Sequence, residues 1–417
     1  MPPADNDVES ALPEERYGWV MVVVAAVFLG AASGALSSIS VFLKPLTAEL
    51  GGLRGATSFA YTAGFLASGV GGILMGYLND RFTTRAVVFG GALALGVAYL
   101  LLSVHQSLWQ LYLFFVLMGG LGVAAFRAPL IANVGIWFNR NKGLALGLTT
   151  AGQALGQGFV PFVAGLLIPA LGWRAAYVVL GVATLGLLVP LSAAVRTPPG
   201  LTAVRAGADG PKAPAGAAPP IPPGQLVAWL SAAVVFCCVC MSTALVHVVA
   251  LAQDAGMGAE QAAGIIGLVF ATSFVGRIGF GRLADRIGGA RAYFIASAGQ
   301  TSLVFWFTQM NSLWGFYLLA VAFGLFFSGV MTCLVITVRE MTPMRRRGLS
   351  QAIISLFGST GMGLGGFQGG LFFDLTGSYT LPFAIAAAAG VCNLIVVGAL
   401  VRRLRRPAPA DPALQPV

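Results

Sequence analysis

The sequence predicts an all-α membrane protein with twelve transmembrane helices in two six-helix bundles. The composition, the number of long apolar segments and an internal repeat each indicate this fold. Of the 417 residues, 57% are hydrophobic and 9% are charged, and the mean hydropathy is +0.85. Because soluble proteins carry roughly 25% charged residues, a chain of this composition is expected to face lipid over much of its surface.

Twelve apolar segments are long enough to cross a bilayer, since a transmembrane helix needs about 20 mostly apolar residues. We predict the spans at 18–42, 56–79, 84–103, 109–135, 143–168, 174–195, 226–253, 261–283, 290–309, 313–338, 349–373 and 378–402. The first six form one predicted bundle, 18–195, and the last six form the other, 226–402. A linker at 196–225 is rich in proline, glycine and alanine and has too few large apolar side chains to fold. Residues 1–17 and 403–417 are predicted cytoplasmic tails.

The hexapeptide Gly-x-Leu-x-Asp-Arg occurs once in each predicted bundle. The two copies begin at residues 76 and 281, so the offset is 281 − 76 = 205 residues, close to half of the chain. A repeat of this period is typical of secondary transporters built from two homologous halves. The predicted gating residues are the Gly, Asp and Arg of both copies: Gly76, Asp80, Arg81, Gly281, Asp285 and Arg286.

Each residue type of the hexapeptide has a mechanical use at the end of a helix. The glycine permits close helix approach, the aspartate can accept from a neighbouring helix N-terminus, and the arginine can make charge-assisted hydrogen bonds. Such contacts can hold one access state and release the other. The alternative is that each Asp-Arg pair only caps its helix as a solvated ion pair, but two copies at equivalent positions favour gating.

The distribution of lysine and arginine predicts the orientation of the chain. With both termini inside, 19 of the 24 basic residues lie on the cytoplasmic side, and three lie outside: Lys44, Arg54 and Arg174. Basic residues accumulate on the cytoplasmic side of membrane proteins, so this split decides the topology. The net charge of +10 then lies beside the inner leaflet and does not indicate nucleic-acid binding.

The five cysteines all fall inside predicted spans. No histidine or carboxylate lies within one helical turn of Cys237, Cys238 or Cys240, so we expect small packing residues rather than a metal site or disulfides. The sequence also contains no Gly-x-x-x-x-Gly-Lys-Ser/Thr loop. We therefore expect no metal, no cofactor, no ATP-driven step and no enzymatic activity.

Arg277 is the first candidate for ligand binding, because it lies well inside the eighth span. A charge in a span costs at least about 2.5 kcal/mol on insertion scales and is by default a functional hypothesis. No acidic residue stands three or four positions away on that helix, so a carboxylate ligand is expected as its counter-ion. The alternative is an arginine that reaches the inner interface along its apolar stem, since Asp285 is eight residues away.

The repeated hexapeptide and the start of helix 5 carry a family resemblance. The chain resembles the major facilitator superfamily, whose signature Gly-x-Leu-x-Asp-Arg follows helices 2 and 8, and more narrowly the monocarboxylate transporter family with its bacterial relatives. The narrower resemblance rests on Trp137-Phe138-Asn139-Arg140-Asn141-Lys142 with Ala145-Leu146-Gly147 and Ala151-Gly152, on Tyr17-Gly18-Trp19-Val20, and on Gly377-Ser378-Tyr379 after Asp374. It implies the major facilitator fold, a central cavity between the bundles, and Arg277 as the ligand of a substrate anion.

Helix 5 of this resemblance also has a direct physical interpretation. Gly143, Gly147 and Ala151 fall at i, i+4 and i+8, and they form one predicted stripe of small residues for close packing. We interpret this stripe as a structural and gating feature rather than a substrate contact.

The chain departs from the family pattern at two ionisable positions. Ser273 stands where many members carry Asp, and Ser37 stands at the position aligned with a helix 1 Lys. This leaves His247 as the candidate proton carrier, because the pKa of a histidine lies near neutrality. The alternative is a structural histidine bonded to the backbone or to a hydroxyl such as that of Thr243.

Arg127 is a second arginine within a span, and it is 13 residues from Arg140 at the inner face, too deep for easy snorkelling. Together with Arg277 it would suit a dicarboxylate, whereas one arginine suffices for the monocarboxylate that the resemblance favours. A structural alternative is that Arg127 satisfies the carbonyl that Pro129 leaves without an N–H partner.

The sequence thus predicts a secondary transporter of a small organic anion, a monocarboxylate, by proton-coupled alternating access. Alternatives are a dicarboxylate or anion-exchange carrier, an efflux carrier for amphipathic compounds, and a transporter-like sensor without flux. We expect a monomer in the cell inner (plasma) membrane, whose partners are the anion, protons and the lipid bilayer. The predicted substrate-binding residues are Arg277, Ser273, His247, Arg127, Ser37 and Phe357.

Overall fold

A computed structural model describes residues 16–138, 142–196, 222–342 and 344–404, and within these ranges the chain is helical with no strand. The helices before residue 197 are α1 (Arg16–Ser37), α2 (Ile39–Glu49), α3 (Arg54–Arg81), α4 (Thr84–Val104), α5 (Leu108–Leu117), a π-helix (Met118–Val123), α6 (Ala124–Trp137), α7 (Lys142–Leu171) and α8 (Trp173–Ser192). The later helices are α9 (Pro223–Asp254), α10 (Ala259–Ile287), α11 (Gly289–Val304), a 3-10 helix (Phe305–Gln309), α12 (Leu313–Met341), α13 (Met344–Thr376) and α14 (Thr380–Leu404).

These helices confirm the all-α membrane fold and account for all twelve predicted spans. Ten described segments are long and apolar enough to cross a membrane. The two predicted spans outside that set are 290–309 and 349–373. The first is divided between the 16 residues of α11 and a 3-10 helix. The second lies in α13, whose many glycines and polar residues lower its mean hydropathy.

The chain divides into two compact units. The first comprises Met1–Ser38 and Ala67–Gly210, and the second comprises Ile39–Leu66 and Pro211–Val417. These units are defined by packing in this conformation, whereas the predicted bundles are defined by the repeat, so the bundle boundaries stay a prediction. Most of the predicted linker lies in residues 197–221, outside the described ranges.

In the first unit, α1 and α7 pack through glycines. A Cβ added at Gly156 of α7 would overlap the backbone of Gly30, and one added at Gly34 of α1 would overlap the backbone of Gly156. Small residues at such crossings let two backbones approach closely. The predicted packing stripe was wrong in register, because a Cβ at Gly147 would meet no described atom within 4 Å.

In the second unit, α13 lies between α9 and the first half of α3. Thr62 of α3 donates to the Gly363 carbonyl at 2.7 Å, and Thr243 of α9 donates to the Gly365 carbonyl at 3.1 Å. A Cβ at Gly366 would approach the ring of Tyr61 at 2.7 Å. The glycines of α13 therefore let helices pack against it from two directions.

A second repeat, Ser-Leu-Trp-x-x-Tyr, occurs at 107–112 and 312–317, and its offset is also 205 residues. Each copy begins a long helical segment with the same serine cap. The Ser107 hydroxyl accepts from the amide of Gln110 at 3.4 Å, and the Ser312 hydroxyl accepts from the amide of Gly315 at 3.2 Å. A side-chain acceptor of this kind satisfies a helix N–H that has no partner within the helix.

Candidate functional site

Arg277 and Ser273 lie one turn apart on α10, but their environments differ. Arg277 is partly exposed in the middle of the helix. Ser273 is fully buried, and its hydroxyl donates to the carbonyl of Phe270 at 2.7 Å. In this conformation the Ser273 hydroxyl is therefore engaged by its own helix, whereas part of the Arg277 side chain is accessible.

Arg127 follows the π-helix by four residues and has an exposed side chain, although many protein atoms surround it. This combination is expected for a charged side chain that lines a water-filled space, since charged groups within spans rarely face lipid. Phe126, its neighbour in α6, is fully buried. The π-helix was not predicted from the sequence, and π-turns inside α-helices are frequent at functional sites.

Two further predicted substrate residues, Ser37 and Phe357, are accessible. Ser37 is the last residue of α1 and is partly exposed, just before the helical hydrogen-bonding pattern is interrupted at Ser38. Phe357 of α13 is 44% exposed. Ser37 and Arg127 belong to the first unit and Phe357 to the second.

His247 is fully buried on α9, and both ring nitrogens have partners. Nε2 lies 2.8 Å from the carbonyl of Gly366, and Nδ1 lies 3.3 Å from the hydroxyl of Tyr379. Because a carbonyl only accepts, Nε2 must carry the proton in the neutral ring, and Nδ1 then accepts from the Tyr379 hydroxyl. The structural alternative for His247, a hydrogen bond to the backbone, is thus present at Nε2. The partner is Gly366 rather than Thr243.

Tyr379 connects His247 to a cluster of charged groups. Its hydroxyl accepts from Arg54 at 2.8 Å while it donates to His247. Arg54 donates to both carboxylate oxygens of Asp254, at 2.5 Å and 3.0 Å. The Arg54 guanidinium also stacks over the ring of Phe373, with its carbon 3.9 Å from the ring centroid. The carboxylate and the phenol engage both terminal nitrogens of the guanidinium, and an aromatic ring covers a face of its plane.

Two further contacts complete this cluster. Lys44 makes an ion pair with Asp254 at 2.9 Å. Asp374 accepts from the backbone amides of Arg54 and Gly55, at 2.8 Å and 2.7 Å, and therefore caps the N-terminus of α3. Lys44 and Arg54 were predicted only as outer basic residues. The structure shows that both make ion pairs with Asp254.

The two hexapeptides lie in the last turns of α3 and α10, so both motifs are helical. Arg81 lies over the ring of Tyr77, 4.9 Å from its centroid, and Asp285 and Arg286 are exposed. A Cβ at Gly76 or Gly281 would meet no described atom within 4 Å. The expected close helix approach at these glycines is therefore wrong for this conformation, because both face open space. The side chain of Asp80 lies outside what the structure describes.

The helices, the apolar spans and the intramembrane arginines define a polytopic helical membrane protein of the transporter class. The family model described as Major Facilitator Superfamily matches residues 22–307 and 280–416. The chain therefore belongs to the Major Facilitator Superfamily.

Individual relatives sharpen this assignment. Monocarboxylate transporter 13 from Rattus norvegicus is 28% identical over 391 residues, which is 90% of this chain and 87% of the relative. The uncharacterized MFS-type transporter YcxA from Bacillus subtilis is 24% identical to this chain. The match covers 89% of this chain and 92% of the relative. The predicted resemblance to monocarboxylate transporters and bacterial relatives is thus confirmed.

A solved structure supports the fold. A bacterial homolog of the human lysosomal transporter Spinster, solved in an inward-facing and unoccupied conformation, superposes with a TM-score of 0.66. The two chains are 14% identical, and the match covers 94% of this chain and 96% of that one. At this identity the likeness concerns the fold alone.

Sequence reasoning missed Asp254 and the contacts of Asp374 and Tyr379, which it named only as part of the family resemblance. The sequence contains only 14 acidic residues, and Asp254 stands directly at the end of an apolar run, so its position was a usable signal. The pairing of Asp254 with Arg54 left no signal in the sequence, because 200 residues separate the two along the chain.

Proposed function

We propose that the chain is a secondary active transporter of a small organic anion, a monocarboxylate, which works by proton-coupled alternating access. It resides in the cell inner (plasma) membrane with both termini in the cytoplasm. The observation that carries this proposal is Arg277, a partly exposed residue well inside the apolar helix α10. The similarity to monocarboxylate transporters supports the same substrate class.

The chemistry of the guanidinium explains why the substrate is a carboxylate. Arginine presents two parallel N–H donors at the spacing of the two carboxylate oxygens, so it binds this group in a bidentate manner. Within a low-dielectric span the arginine is costly to bury, and an arriving anion offsets that cost. With the anion bound, the two opposite charges form a neutral pair, and this lowers the barrier between the two access states.

The choice between one and two carboxylates depends on Arg127. Its exposure within α6 makes it accessible to ligand, and two arginines would suit a dicarboxylate. One bidentate arginine suffices for a monocarboxylate, in which case Arg127 contributes positive potential that attracts the anion. The relatives favour the monocarboxylate, and a dicarboxylate carrier is the alternative.

Proton coupling is assigned to His247. The Nδ1 atom accepts from Tyr379 in the neutral state, so a proton that arrives at Nδ1 must displace that hydrogen bond. Protonation would therefore change the contact between α9 and Tyr379. Because neither residue 273 nor residue 37 is ionisable, His247 or the substrate itself has to carry the proton.

Uptake of radiolabelled carboxylates by proteoliposomes tests the proposed function. We expect Arg277→Lys to lose most uptake, because the charge remains but the bidentate fork is gone. Arg282→Lys, an exposed position on the same helix, is the matched control and should transport normally. Normal kinetics in Arg277→Lys and Arg277→Ala would refute the role of this residue. Binding of carboxylates without uptake would indicate a sensor.

The coupling residue is tested separately through the pH profile of uptake. His247→Gln keeps a hydrogen-bonding side chain but removes the titratable ring, so the pH dependence of uptake should flatten. An unchanged profile would assign coupling to another group or indicate anion exchange without protons.

A further inference from the structure

We propose that Asp374, Arg54 and Asp254 form a latch that holds the segment Ile39–Leu66 in place. The latch must open before the transporter can admit substrate from the predicted outer side. This consequence rests on the proposed alternating-access function, whereas the opening of the latch can be measured without substrate. The three residues come from α13, α3 and α9, and all of them lie within the second unit.

The first half of the latch is the helix cap. Asp374, near the C-terminal end of α13, accepts from the first two amides of α3 with both carboxylate oxygens. The N-terminus of a helix carries a partial positive charge and has unsatisfied N–H groups, so a carboxylate there stabilises the helix end. The carboxylate comes from 320 residues away in the sequence. It therefore ties two separate helices together rather than shaping a single one.

The second half is the Arg54 side chain. Only 11% of this side chain is exposed, against 30% for Asp254. The guanidinium reaches α9 through Asp254, and it reaches the connection between α13 and α14 through Tyr379. One residue thus joins α3 to α9 through its side chain and to α13 through its backbone amide.

The surface under the latch is suited to separation. Beyond the latch, α3 faces α13 at the glycines 363, 366 and 370, which have no side chains to interlock. Apart from the latch, Thr62 to Gly363 is a described hydrogen bond between α3 and α13. The rings of Phe59 and Phe367 also meet between these helices, with centroids 5.6 Å apart. Removing the polar contacts at one end would therefore leave an interface lined by glycines, with one aromatic contact.

The latch also lies on the same rigid element as the first hexapeptide. Helix α3 is 28 residues long and runs without interruption from Arg54 to Arg81, which corresponds to about 40 Å at 1.5 Å per residue. Release of Arg54 from Asp374 and Asp254 would move the opposite end of the same helix, where the gating motif lies. This geometry couples the two ends of α3 mechanically.

Thiol accessibility at Ser58 tests the latch. Ser58 is fully buried on α3 against Gly370, and Ser58→Cys is nearly isosteric. The reporter is placed in a Cys392→Ser background, because Cys392 is the exposed cysteine among the described residues. A membrane-impermeant maleimide is applied to the outer side of right-side-out vesicles, and the labelling rate is measured without substrate.

We expect Asp374→Asn to raise the labelling rate of this cysteine about tenfold, in line with the typical strength of a helix cap. Ser378→Ala is the matched control, because Ser378 lies in the same connection and bonds only to nearby residues. Lys44→Gln should change the rate less than Asp374→Asn, since the Lys44 side chain is 38% exposed. Arg54→Lys should resemble Asp374→Asn, because a lysine keeps the charge but loses the fork.

An unchanged labelling rate in both Asp374→Asn and Arg54→Lys would overturn the latch. If Asp374→Asn fails to fold, which gel filtration would reveal, Arg54→Lys carries the test alone. The outcome is independent of the substrate proposal. If the protein takes up no carboxylate but the variants are labelled faster, the latch is supported and the proposed function is refuted. If the protein takes up carboxylate but the variants are labelled at an unchanged rate, the proposed function is supported and the latch is refuted.

Discussion

The helical segments 108–137 and 313–341 begin alike and end alike, but they differ in the middle. Both start behind a serine cap and both are followed by one extended residue, Phe138 or Thr342. The offset is 312 − 107 = 205 at the start and 342 − 138 = 204 at the end. The first segment therefore holds one residue more, 30 against 29. The π-helix Met118–Val123 accommodates it, whereas α12 is regular throughout.

This difference shows how a duplicated scaffold can be adapted at one point. A π-turn holds more residues per turn than an α-turn, so an extra residue can be absorbed without moving the ends of the helix. The side chains that follow then keep the faces that they would have in a regular helix one residue shorter. Arg127 comes just after this point, and its counterpart beyond the extra residue is Met331, since 331 − 127 = 204. The local departure from the repeat thus coincides with an intramembrane charge.

Addition of one further residue to the first segment should have the largest effect. A variant with one alanine inserted after Leu121, which is 41% exposed, carries a residue beyond the one that the π-helix accommodates, so Arg127 should rotate by about 100° relative to α5. We expect uptake to fall about tenfold or more, because a charge-assisted contact is worth about 1.5–3 kcal/mol. Leu121→Ala keeps the chain length and should transport nearly normally. Equal uptake by the insertion variant and Leu121→Ala would show that the orientation of Arg127 has no functional role.

The counterpart positions Arg127 and Met331 give the next largest effect. We expect Arg127→Gln to raise the half-saturation concentration of a monocarboxylate about tenfold, as the loss of one charged contact predicts. Met331→Gln should change it little, because that position carries no charge in the second half. The measurement is competition of uptake by mono- and dicarboxylates.

Two outcomes of that competition would change the interpretation. A selective loss of dicarboxylate competition in Arg127→Gln would make the substrate a dicarboxylate. An equal effect of Arg127→Gln and Met331→Gln would make Arg127 structural, in agreement with the alternative that it serves the backbone near Pro129.

The smallest effect is expected where the two segments are most alike. Ser107→Ala and Ser312→Ala each remove a helix cap, which typically costs about 1 kcal/mol of stability. Because the two caps have nearly the same geometry, the two variants should lower the thermal midpoint of unfolding by similar amounts. Ser302→Ala, at an exposed hydroxyl that bonds within its own helix, is the control. A large loss in only one of the two cap variants would show that the repeats are stabilised differently.

The sequence predicted the helices well, because hydropathy over about 20 residues is a local property. It also predicted the family, because the hexapeptides and the helix 5 segment are contiguous strings. The sequence analysis placed the packing face of α7 one residue away from the observed face. The sequence alone does not distinguish Gly147 from Gly152, because only the packing of α1 shows which glycine lies at the contact. It also expected tight packing at Gly76 and Gly281, where this conformation has open space.

Composition and the long apolar segments by themselves determined a helical membrane protein with arginines inside its spans, because both are properties of the linear chain. The division into two bundles, which the 205-residue repeat indicates, stays a prediction. Only the tertiary structure decided which charges are engaged. Arg54, Asp254 and Asp374 are up to 320 residues apart in sequence, and their contacts exist because α3, α9 and α13 fold against one another. The environment of His247 was decided in the same way, since its partners Gly366 and Tyr379 lie on other elements. The residue type fixes the chemistry of a side chain, but the partners of that side chain depend on which helices pack together.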